Sequence, residues 1–114
     1  TNATKAWKYR PSTAIDLQVE ELDGSWKAQA WFGNFYDLSF PWIYHTELQW
    51  LYFSESSEDS FWLWSKELGW IWTQASAFPY CFSNSNEGWL YLDLKDRNSL
   101  RYYDFKSEDW IKFD

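Results

Sequence analysis

Histidine occurs once, cysteine once and methionine not at all in this 114-residue chain. Those scarcities remove several chemistries. A zinc site of the usual kind draws on several His or Cys side chains, and here His45 and Cys81 stand alone, 36 positions apart. Nucleophilic catalysis needs a base beside the nucleophile, and His45 reads as the first residue of a polar link, a structural or solvated position. Four glycines leave no phosphate-cradling loop. A single cysteine allows no disulfide within the chain, and Cys81 falls among apolar residues that suggest a packed thiol. No apolar run approaches the roughly 18–20 residues that span a bilayer. No leader peptide is visible, as in an exported chain whose signal has been removed. Basic residues number 10 against 17 acidic ones, a net charge of −7. That sign repels phosphate backbones and anionic membrane surfaces, so we expect neither a nucleic-acid partner nor membrane insertion.

What the chain has in excess is aromatic surface: 11 Trp, 8 Tyr and 9 Phe make 25% of its residues. Each such side chain buries about 150–250 Å² and favours strands over helices. The length suits one domain. Residues 1–12 lack the pattern described next and read as an N-terminal arm, with Trp7 and Tyr9 able to dock; residues 13–114 read as one domain.

The pattern is a repeat. Trp50, Trp70, Trp89 and Trp110 are spaced by 20, 19 and 21 residues, and each follows another aromatic by eight or nine positions: Trp42, Trp62, Tyr80 and Tyr102. Each unit reads as two short strands around a polar link, a β-hairpin signature. The clear units are Trp42-Ile43-Tyr44 with Trp50-Leu51-Tyr52, Trp62-Leu63-Trp64 with Trp70-Ile71-Trp72, and Tyr80-Cys81-Phe82 with Trp89-Leu90-Tyr91. A weaker one is Tyr102-Tyr103-Asp104 with Trp110-Ile111-Lys112, and a degenerate first copy pairs Leu17-Gln18-Val19 with Trp26-Lys27-Ala28 around Asp23-Gly24. Gly69 and Gly88 stand where such links need a positive φ. Trp31 to Tyr36 falls out of register and suggests one further strand with a turn or bulge at Gly33-Asn34. Phe40-Pro41 and Phe78-Pro79 add a second period of 38 residues and suit strand starts, because proline cannot donate to a ladder.

Alternation along a strand sends neighbouring side chains to opposite faces. Ile43, Leu51, Leu63, Ile71, Cys81, Leu90 and Ile111 therefore share one face, and the first six are expected to form a continuous buried column. Trp42, Tyr44, Trp50, Tyr52, Trp62, Trp64, Trp70, Trp72, Tyr80, Trp89 and Tyr91 share the other, which is core or a binding surface. The fold class expected is all-β: an antiparallel stack of about five short hairpins, as a small solenoid or curved sheet, with a closed barrel or propeller as the alternative. The charged end units, carrying Gln18, Lys27, Asp104 and Lys112, are expected to cap the stack.

The carboxylates Glu47, Glu67, Glu87 and Glu108 recur with the links and read as a solvated turn face rather than a hydrolytic pair. Glu55, Glu58 and Asp59 lack the spacing of a calcium loop. No cofactor or metal is expected.

The run from Trp31 to Tyr91, with Trp31-Phe32-Gly33, Phe40-Pro41-Trp42-Ile43-Tyr44-His45, Leu68-Gly69-Trp70-Ile71-Trp72-Thr73 and Phe78-Pro79-Tyr80, resembles an aromatic repeat region found near the C-terminal ends of secreted and surface proteins of some bacteria. It is similar in architecture to the choline-binding repeats of cell-wall proteins. The resemblance implies an exported, cell-surface bacterial protein and supplies no catalytic residue. Two functions follow as expectations: a non-catalytic attachment module that recognises a glycan or cell-envelope component, or a structural subunit that self-assembles with copies of itself.

Overall fold

The computed structural model describes residues 14–16 and 19–113. The N-terminal arm at 1–12, with Trp7 and Tyr9, and the proposed strand residues Leu17 and Gln18 lie outside the described residues. Eleven strands follow a short 3-10 turn at Ala14–Asp16: β1 Val19–Glu21, β2 Trp26–Gln29, β3 Gly33–Tyr36, β4 Trp42–His45, β5 Gln49–Glu55, β6 Ser60–Ser65, β7 Gly69–Gln74, β8 Tyr80–Ser83, β9 Gly88–Asp93, β10 Arg101–Asp104 and β11 Asp109–Lys112. Each strand pairs antiparallel with the next, so the order across the sheet is the order along the chain. The fold is thus all-β and, among the described residues, one open sheet with edges at β1 and β11. It is neither a barrel nor a propeller, and consecutive hairpins are joined by hydrogen-bonded ladders rather than stacked as separate units.

The faces divide as alternation demands. Ile43, Leu51, Leu63, Ile71 and Cys81 have no exposed surface and Leu90 has 3%. The column they form is stepped, however. Ile43 faces Leu51 and Cys81 faces Leu90 within a pair, but Leu63 faces both Phe53 on β5 and Ile71 on β7, and Ile71 in turn faces Ser83. Ile111 is only half-buried, because β11 has no strand beyond it among the described residues.

One sheet cannot bury its own inner face, and aromatic groups from the links complete the cover. Phe32, in the β2–β3 link, reaches Phe61 on β6 and Phe78 in the β7–β8 link, with ring centroids 5.5 and 5.3 Å apart. Trp31 stacks on Phe61 at 5.2 Å. Ala14 and Ile15 are buried with the same cluster, and the 3-10 turn lies against β6. The turn expected at Gly33-Asn34 lies earlier, at residues 30–32. Gly33 opens β3 at φ 106°, and a Cβ there would meet His45 Nε2 at 3.2 Å.

The 38-residue period is real in space. Pro41 and Pro79 both follow cis peptide bonds just before β4 and β8. Their carbonyls accept from Phe53 N at 2.8 Å and Leu92 N at 3.1 Å, the same bond in two copies. The quartets β4–β7 and β8–β11 are therefore related units.

The charged ends behave unequally. Glu20 and Glu21 sit on edge strand β1, and Asp109 and Lys112 on edge strand β11, where charge discourages pairing with another sheet. Lys27 departs from the expectation. It lies on interior strand β2, paired in register with buried Phe35, and its ammonium contacts Asp37 at 2.8 Å and Asp16 at 3.9 Å. It is an inward-facing charge paired with two carboxylates, which leaves Lys112 as the cation on a described edge strand. Asp104 likewise faces inward, opposite Leu90.

Candidate functional site

Five links on one side of the sheet share a device that the aromatic pattern does not reveal. The last residue of the strand before each link is polar, faces inward and is buried: Gln29, His45, Ser65, Ser83 and Asp104. Each side chain accepts hydrogen bonds from backbone N–H groups two or three residues on. Gln29 Oε1 accepts from Trp31 and Phe32, and His45 Nδ1 from Glu47 and Leu48, both at 3.1 Å. Ser65 Oγ accepts from Leu68, Ser83 Oγ from Asn86, and Asp104 Oδ1 from Lys106 and Ser107. Four residues after each clamp the chain turns to positive φ, at Gly33, Gln49, Gly69, Glu87 and Glu108. The last two links hold one more residue, so the left-handed position precedes Gly88 and Asp109 instead of falling on them. Gly88 is accordingly not the positive-φ residue expected. A polar residue where alternation calls for an apolar one was the available sequence signal.

His45 is thus a clamp. It is 1% exposed, and its Nε2 lies 2.8 Å from the Phe32 carbonyl. Since Nδ1 accepts two N–H bonds, Nε2 carries the proton and donates to Phe32 O, and the ring is neutral. Burial depresses its pKa below the usual histidine value, against smaller raising effects from Phe32 O and Glu47. Asp104 is pulled both ways: burial raises its pKa, but the bonds from Lys106 N, Ser107 N and Asn86 Nδ2 together hold it below the usual carboxylate range. Cys81 is fully buried, its thiol pushed up to about 12 by desolvation.

The carboxylates of the links do not act as a set. Glu47 and Glu67 sit two residues after their clamps, whereas Glu87 and Glu108 hold the left-handed positions. Glu55 accepts from Ala14 N at 2.9 Å. Among the described residues no cluster of three metal-ligating side chains occurs.

The outer face is built of aromatic rows that run across the strands. Ladder register places Trp26, Tyr36, Tyr44 and Trp50 in one row and Trp42, Tyr52, Trp64 and Trp70 in the next. Ser54, Trp62, Trp72, Phe82 and Trp89 form the third, and Tyr80, Tyr91, Tyr103 and Trp110 the fourth. All eleven aromatics expected on this face lie on it. Neighbours meet edge to face: Tyr44 and Trp50 at 5.3 Å, Trp42 and Tyr52 at 5.2 Å, Trp42 and Trp64 at 6.1 Å, Tyr52 and Trp70 at 6.2 Å. Such contacts stiffen the rows. Many rings stay open to solvent: Trp42 is 39% exposed, Trp50 48%, Tyr80 45%, Trp89 42% and Trp110 47%.

Between the second and third rows lies a shallow open groove of about 290 Å³, lined by Ser54, Trp62, Trp70 and Asn84. It runs diagonally across β5, β6 and β7 to the link after β8, with an indole from β6 and one from β7 between a hydroxyl and an amide. Comparison with known families, with curated proteins and with solved structures returns no match for this chain.

Proposed function

We propose that this chain is a non-catalytic attachment module of an exported or cell-surface protein, and that its aromatic sheet face recognises a glycan or cell-envelope component. One observation carries the reading. The inner face closes a complete core, with Phe32, Phe35, Phe61 and the aliphatic column fully buried, and the outer indoles are not needed for it. Large aromatics left on one exposed face in ordered rows are typical of a recognition surface. Flat indole and phenol faces suit the C–H faces of sugar rings, while −7 of charge disfavours polyanions.

The sheet supplies rigidity. Edge-to-face contacts fix each ring in advance, so little side-chain entropy is lost on binding. No helix among the described residues is long and apolar enough to cross a membrane. Co-sedimentation with insoluble polysaccharides and purified cell-wall sacculi tests the reading. Retention that soluble oligosaccharide releases supports it, and a chain that pellets with none of these overturns it. Sedimentation velocity on the chain alone separates this module from a self-assembling subunit: the module stays monomeric, and the subunit grows with concentration.

A further inference from the structure

The two related quartets carry the same diagonal in different states. In β4–β7 it runs from Ser54 to Trp62, its cross-strand partner, and on to Trp70. In β8–β11 the corresponding positions are Asp93, its cross-strand partner Arg101, and Trp110. There the diagonal is filled by the chain itself. The Arg101 guanidinium lies 4.1 Å from the centroid of the Trp110 ring, and Arg101 Nε donates to Asp93 Oδ2 at 3.1 Å. The second copy therefore carries at the place of Trp62 a side chain of its own that lies on the second indole and bonds to Asp93, which leaves no open diagonal there.

In the first copy the guanidinium has become an indole and the carboxylate a hydroxyl, and the diagonal is an open groove. A cation placed there would lose its carboxylate partner. A neutral polyhydroxyl ring would keep one, because Ser54 both donates and accepts, as does the Asn84 amide at the far end. The lining holds no charged side chain. Its volume, about 290 Å³, falls just below the range of whole-ligand clefts and suits a single sugar ring with its neighbours running out along the surface.

We propose that the groove of Ser54, Trp62, Trp70 and Asn84 is a subsite for one neutral pyranose ring of an oligosaccharide, an inference that rests on the glycan-binding reading of the aromatic face. Trp62 and Trp70 stack on the ring, Ser54 and Asn84 bond its hydroxyls, and the Arg101 position explains why β8–β11 offers no second copy of the site.

Isothermal titration with neutral hexasaccharides (cellohexaose, xylohexaose, mannohexaose, N-acetylchitohexaose) and with hexagalacturonate tests it. The wild-type chain should bind at least one neutral probe and bind the anionic probe more weakly. Trp62→Ala and Trp70→Ala should each weaken that binding about tenfold or more. The double variant Ser54→Asp, Trp62→Arg rebuilds the filled diagonal of the second copy. It should abolish binding while near-ultraviolet dichroism and the melting midpoint show a folded chain. Leu38→Ala, in the exposed link between β3 and β4 and outside the aromatic rows, should leave affinity unchanged. If a neutral probe binds and all three groove variants keep it, the subsite is wrong while the glycan-binding face stands, and loss in Trp42→Ala or Trp50→Ala then locates the contact. Tighter binding of hexagalacturonate overturns the neutral specificity. A chain that binds no probe and pellets with no polysaccharide overturns both readings.

Discussion

The quartets β4–β7 and β8–β11 begin from the same cis-proline turn and the same backbone bond, yet one is central and the other terminal. In the first, Trp31 and Phe32 from the β2–β3 link cover Phe61 on the inner face, and the outer diagonal is open. In the second, the inner face thins to half-buried Tyr102 and Ile111, and the outer diagonal is closed by Arg101 on Trp110. A repeated backbone can thus hold two roles. Inward positions follow how much structure lies over them, and outward positions are free to differ, since the core does not depend on them.

The largest effect expected from this comparison concerns Cys81, which occupies the place of Ile43. With its pKa pushed up to about 12, its thiolate is roughly a thousandfold rarer at neutral pH than in an unfolded chain. Labelling by a disulfide reagent should be slower by at least that factor in the native protein and accelerate with denaturant. Rapid native labelling would mean that the second quartet opens readily.

Next comes the pair Ile71 and Ile111, equivalent across the quartets. Ile71→Ala should cost about 2–5 kcal/mol by leaving a cavity, and Ile111→Ala about 1 kcal/mol, since its site collapses to solvent. Urea midpoints measure both, and equal losses would refute the difference in cover.

The clamps His45 and Ser83 are equivalent too, and they sharpen the comparison by pH. The folded pKa of His45 is depressed, so the unfolded chain binds the proton first. Its contribution is fully present above the usual value near 6.5 and is lost as pH falls below that, by up to about 1.4 kcal/mol per pH unit until the folded pKa is reached. His45→Ser, which copies the second quartet, should remove that slope between pH 6.5 and 5. A slope unchanged in the variant would assign it to another group.

The smallest effect belongs to Arg101. Its exposed pair with Asp93 and its stack on Trp110 should contribute little to stability, and less as salt rises. Arg101→Ala should scarcely move the melting midpoint, while Trp110 fluorescence, read against the Trp110→Ala background, should change.

Much of this was legible in the residue order. The alternation of Trp42-Ile43-Tyr44 and its copies gave the strands, the two faces and the buried column, because side-chain direction alternates with a period of two and needs no tertiary knowledge. The first hairpin is legible as well, since Asp23-Gly24 turns β1 into β2; its first strand is described at Val19–Glu21, and the sequence does not show that β2 also leads through the Gln29 clamp into β3, where Trp26 meets Tyr36. The clamps were missed because a lone polar residue at a strand end looks like the start of a solvated link. Only burial shows that His45 and Asp104 bind backbone N–H groups.

The sequence by itself thus determined an all-β aromatic sheet with one aliphatic and one aromatic face. That outcome is local: period, propensity and turn chemistry act within a few residues. Only the tertiary structure decided that the sheet stays open, that Phe32 crosses to Phe61 and Phe78, and that Lys27 is neutralised inward by Asp37 and Asp16. Only it left the Ser54–Trp62–Trp70 diagonal empty while filling its counterpart with Arg101. Those features join residues far apart in the chain, and their energies depend on which surfaces remain uncovered once every strand is paired.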